Sequence, residues 1–154
     1  MSKDKKFVPE HLDEEQERTL NVLLNLFIPP SEDGKIPGAA DVGFLAYIHN
    51  ENILPWIKEG LINIIEESHN KYDQGFSSLS GSEQTQLIDK LRRRFLQFFN
   101  RFTTQVIQCY YQHDDVLEAI GFEARPPFPQ GYLLERGDLT LLEPVYLRGK
   151  IYRD

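Results

Sequence analysis

Leu20, Leu23, Leu24 and Phe27 recur at i, i+3, i+4 and i+7, and the run they build stops at Pro29 and Pro30. This spacing lays four large apolar groups along one stripe of a helix, a stripe that has to be covered. The residue before a proline is pushed out of the α region, and proline donates no backbone N–H, so the helix ends by Ile28. An acidic loop, "SEDGKIPG", follows, and then a second apolar run, "AADVGFLAYI". The chain therefore turns a sharp corner between two segments that both belong in a core.

Matching stripes occupy the residues that follow. Upstream, Asp13 and Gln16 stand at capping-box spacing, with Leu12 where a hydrophobic staple sits. Residues 39–49 read as a short helix with Val42, Leu45 and Ile48 inward. Residues 53–72 read as a longer one, with Leu54, Ile57, Leu61, Ile64 and Ile65 buried, Pro55 in the first turn and Gly75 closing it. Ser80 with Glu83 opens a further helix toward "LRRRF", where a break is one of two readings. Phe95, Phe98, Phe99, Phe102, Val106, Cys109 and Tyr110 form the strongest helical stripe, and a short turn over residues 115–120 ends in Gly121. The expected fold is all-α: a compact single-domain bundle of about five helices over residues 1–121.

Beyond Gly121 the pattern changes. "FEARPPFPQGYLLERGDLTLLEPVYLRGKIYRD" has no sustained period and reads as a long extended Pro/Gly-rich tail, residues 122–154. It is too apolar for a solvated linker, so it is expected to lie on the body, on a partner, or on both. Phe128, Tyr132, Tyr146 and Tyr152 are the expected partner-binding anchors because aromatics dominate interface hot spots. Arg148 and Arg153 are expected beside them, being suited to bidentate contacts with carboxylates.

Charge narrows the partners. The chain carries −7, and residues 1–77, with 7 Lys/Arg against 14 Asp/Glu, account for all of it. Phosphate recognition needs a cationic surface, so nucleic acid is not an expected partner despite Arg92, Arg93, Arg94 and Arg101 beside aromatics. No apolar run approaches the roughly 20 residues of a membrane span, so no direct membrane insertion is expected. "MSKDKKFVPE" has lysines but no apolar core of a signal peptide, which reads as cytoplasmic as encoded. The single cysteine excludes an internal disulfide and a multi-cysteine metal cluster.

Each candidate for chemistry has a plainer account. Glu66 and His69 have the Glu-x-x-His spacing of di-iron bundles, but that motif is needed twice and occurs once. His113, Asp114 and Asp115 would serve as a base with carboxylates; following a long helix, they also suit its end and the cap of the next turn. Cys109 lies on the aromatic stripe, where a thiol packs and does not react. Glu32, Asp33 and Gly34 lack the alternating acidic positions of a calcium loop. No phosphate-binding glycine loop, nucleophile elbow or HExxH motif is present. The expectation is no catalytic residue and no metal site.

"LLNLFIPPSEDGKIPGAADVGFLAYI" resembles the N-terminal signature of the gluconate 2-dehydrogenase subunit 3 family, through Ile28, Pro29, Asp33, Gly34, Gly38, Ala39, Gly43, Tyr47 and Ile48. "FFNRFTTQVIQCYYQHDDV" resembles that family's late helix, and "GFEARPPFPQGY" its closing segment. The resemblance implies a non-catalytic small subunit that binds and stabilises or matures a large FAD-dependent sugar or alcohol dehydrogenase of the glucose–methanol–choline type, often alongside a cytochrome subunit. It implies no cofactor in this chain and FAD in the partner, with periplasmic residence only if an exported partner carries the chain. Two family features are missing: a twin-arginine export signal, and a Tyr-Gly-Gly-Asn stretch after the late helix, where this chain has "QHDDVLEAIGF". The alternative is a self-contained small enzyme or small-molecule binder using His113, Asp114 and Asp115.

Overall fold

A computed structural model describes residues 11–124, 131 and 137–149. Among these the chain is helical with no strand: α1 (Glu14–Phe27), α2 (Phe44–Asn50), α3 (Leu54–Tyr72), a 3-10 turn (Phe76–Ser78), α4 (Gly81–Arg94), α5 (Leu96–Tyr110), α6 (Asp114–Ala119), a second 3-10 turn (Leu139–Leu142) and α7 (Glu143–Arg148). The chain divides into two units, Met1–Ala124 and Arg125–Asp154.

In the first unit, α1 packs on α3, α2 on α3 and α5, and α4 on α3 and α5. One cluster of buried apolar side chains runs from Leu12 to Val116. Its aromatic centre is Phe102 on α5, fully buried, with the rings of Phe27, Phe44 and Phe98 at 5.4, 5.8 and 5.7 Å. Both capping boxes form: Gln16 N donates to Asp13 Oδ1 at 2.9 Å, and Ser80 N donates to Glu83 Oε2 at 2.9 Å. These two ends fix where α1 and α4 begin, and the stripes then fix which faces turn inward.

The structure corrects three local expectations. α2 starts at Phe44 and not at Ala39, because Gly38 and Asp41 close a turn on each other and Gly43 takes a left-handed φ of 71°. Shifting the start rotates the helix, so Phe44 is buried and Leu45 is 37% exposed. α3 is closed by Asp73 at φ 56°, while Gly75 caps the following 3-10 turn. In the tail, "LTLLEPVYLR" is not extended: it forms the 3-10 turn and α7, with Pro144 in the first turn where its missing N–H costs nothing.

α4 and α5 meet at Phe95, whose φ of −117° and ψ of 45° break the helix with neither proline nor glycine. The break lets α4 cover α3 while α5 turns to cover α2. The apolar stripe that continues across the break in the sequence is thereby divided between two packing partners.

Candidate docking surfaces

The corner after α1 is held by three contacts from α1 and α5. Asn25 on α1 accepts from Ala40 N at 3.3 Å, and on α5 the Tyr110 hydroxyl donates to the Pro37 carbonyl at 2.8 Å. Cys109 Sγ approaches the Val42 carbonyl at 3.8 Å. Gly38 has to be glycine, since a Cβ there would come within 2.6 Å of Asn25 Oδ1 and 2.8 Å of Pro30 Cδ. Within the loop, Asp33 accepts from Ser31 Oγ at 2.7 Å and Lys35 N at 3.2 Å, and Ser31 Oγ accepts from Ile36 N at 2.9 Å. Its other oxygen, Oδ2, pairs with the Lys35 ammonium at 3.1 Å, so the carboxylate is bound into its own turn.

Asp33 sits below the usual carboxylate pKa because of its bonds to Ser31 and Lys35, and Glu83 likewise because of its bonds to Ser80. A carboxyl with a depressed folded pKa contributes stability above its unfolded pKa and loses it as pH falls through the folded one. The amides of Lys35 and Ser80 should therefore lose hydrogen-exchange protection as pH drops below about 4, ahead of amides in the core. Equal protection of these amides down to global unfolding would contradict this.

Of the remaining candidates for chemistry, His69 and Cys109 are engaged in the fold, whereas His113 Nδ1 is buried without a hydrogen-bond partner. His69 Nε2 pairs with Glu15 Oε1 at 2.9 Å, tying α3 to α1, and does not form a site with Glu66. His113 is the N-cap of α6, with Asp114 and Asp115 in the first turn; its Nδ1 lies 3.9 Å from Asp115 Oδ2, beyond hydrogen-bonding range. Among the described residues, no three His, Cys, Asp or Glu side chains converge as metal ligands. Cys109 is buried and desolvation pushes its thiol pKa up. A thiol reagent should label it only on unfolding; full labelling of the native chain within minutes would contradict the packing.

Two surfaces carry large apolar groups that are exposed or only partly buried. One is the segment of the second 3-10 turn and α7. Leu139, Leu141, Leu142, Val145, Tyr146 and Leu147 are 63, 74, 42, 52, 76 and 88% exposed. Of the expected anchors, Tyr146 and Arg148 lie here, both exposed, whereas Phe128, Tyr132, Tyr152 and Arg153 fall outside the described residues. The aliphatic neighbours carry no anchor signal of their own in the sequence, since interface hot spots favour aromatics and arginine.

The other surface was not foreseen at all. It is a groove of about 780 Å³ between α3 and the α4–α5 joint, with Trp56, Gly60, Leu96, Phe98 and Arg101 in its lining. Phe98 lies over Gly60, where a Cβ would come within 1.9 Å of its ring. A mid-helix glycine costs about 1 kcal/mol against alanine, and here that cost admits the ring. Trp56 packs on Phe98 at 5.1 Å, and the Arg101 guanidinium stands 4.4 Å over the Trp56 ring. The available signal was Gly60 interrupting an otherwise good helix.

The family model for gluconate 2-dehydrogenase subunit 3 matches residues 14–123. The chain belongs to that family. The match spans α1 through α6 and so includes the locked corner and the late helix. In this family member, the signature glycine at 38 meets the Asn25 and Pro30 contacts, and the aromatic pair divides, Tyr110 turned in to the corner and Tyr111 left 51% exposed. No curated protein and no solved structure matches the chain. Among the described residues, no helix is long and apolar enough to cross a membrane.

Proposed function

We propose that this chain is a non-catalytic subunit that docks on a large FAD-dependent sugar or alcohol dehydrogenase and stabilises or matures it. The observation that carries the reading is the segment over residues 139–148, where each large apolar side chain is at least 42% exposed. Val145, Tyr146 and Leu147 stand at consecutive positions of a six-residue helix, so no single face hides them from water, and coverage by another protein removes that cost. Family membership supplies the class of partner, because the family is described as a subunit of gluconate 2-dehydrogenase. FAD belongs to the partner on this reading, and a cytochrome subunit is a further member of the assembly.

Cells lacking this chain test the proposal. The dehydrogenase they make should carry less FAD and turn over at least about tenfold more slowly, and the full-length chain supplied in trans should restore both. A dehydrogenase with full flavin content and full activity in those cells would overturn the stabilising or maturing role.

A further inference from the structure

We propose that the groove between α3 and the α4–α5 joint is a second contact with the partner, and that it takes a partner segment bearing a carboxylate next to an aromatic or large aliphatic side chain. This deepens the docking reading and rests on it. The groove's apolar part is Trp56, Phe98 and Leu96, the last 58% exposed at the first position of α5. Such a surface receives a flat or branched apolar group from another protein, as interface pockets do.

Charge selects what accompanies that group. Two arginines line the groove. Arg94 is already paired with Glu67, whereas Arg101 has no carboxylate partner among the described residues. Arg101 is instead held over Trp56, which orients its guanidinium without neutralising it. Glu59 is the one acidic residue of the lining among the described residues, and Arg92 and Arg93 continue the cationic edge along α4. The chain as a whole carries −7. An acidic segment is thus repelled by most of this protein and steered toward the Arg92–Arg101 edge, the arrangement that gives an interface its register. A planar guanidinium fixed on an indole suits a bidentate carboxylate. Nucleic acid shares the cationic and aromatic requirements, but Glu59 and Glu67 beside the arginines and the overall charge disfavour a continuous phosphate backbone.

Trp56 is the only tryptophan in the chain, so it reports on the groove by itself. In the full chain labelled with fluorotryptophan, the single fluorine resonance should shift on adding the purified FAD dehydrogenase, in step with complex formation seen by sedimentation. Arg101→Glu and Leu96→Asp, both at exposed positions, should weaken that complex at least about tenfold while leaving the thermal melt in place. Arg101→Ala should also flatten the salt dependence of binding. If the complex forms with an unshifted Trp56 signal and both variants bind as tightly as the parent, the groove assignment is wrong and the docking proposal stands. If no complex forms with the unsubstituted chain, the docking proposal fails and the groove contact falls with it. If a single-stranded oligonucleotide shifts the Trp56 signal and the dehydrogenase does not, the occupant has been assigned to the wrong class of macromolecule.

Discussion

Phe102→Ala should lower the stability of the chain by about 3–5 kcal/mol, a large share of the roughly 5–15 kcal/mol available to a domain. The side chain is fully buried and touches aromatic rings from α1, α2 and its own helix. Truncation would leave a cavity where three elements meet, and their lining cannot collapse from all sides at once. By contrast, Ile107→Ala on the same helix, at a position 45% exposed, should cost well under about 1 kcal/mol. Denaturant melts of the two variants separate the cases. A loss below about 1 kcal/mol at Phe102 would mean that the core is not organised around this ring.

The second large effect is on binding. Replacing Leu141, Tyr146 and Leu147 together with aspartate should reduce capture of the dehydrogenase by about a hundredfold or more, since individual hot-spot side chains carry about 2 kcal/mol or more each. These three are 74, 76 and 88% exposed, and among the described residues the buried apolar cluster ends at Val116. The triple variant should therefore keep the helical circular dichroism and cooperative melt of the parent. Deleting residues 125–154 should act the same way, leaving a folded body that no longer binds. Unfolding of the body in either variant would make this segment a structural element, and undiminished capture would move the docking face onto the helices.

What could be read without the structure divides along physical lines. Helices were legible where a stripe of large apolar groups repeats over three or more turns, as in α1, α3 and α5, and their starts were legible where Asp13 and Ser80 supply capping oxygens. The Pro29 and Pro30 stop was legible because proline acts on its own neighbours. The start of α2 was not, since it depends on Gly43 adopting a left-handed conformation that the sequence permits without requiring. α7 was missed because a helix of fewer than two turns shows no measurable period. The docking segment was partly legible from composition, through Tyr146 and Arg148. The groove was invisible because Trp56, Gly60 and Phe98 meet only after α3 and α5 have packed, and no local pattern records a contact between residues so far apart.

Affinity capture of the tagged full-length chain from its source cells, read by visible absorbance and by the mass of what co-elutes, tests the docking claim most directly. The account predicts a single co-eluting complex that holds a larger polypeptide and shows the flavin spectrum, and that survives gel filtration. Recovery of this chain alone, from cells in which the flavoprotein is present and active, would contradict it.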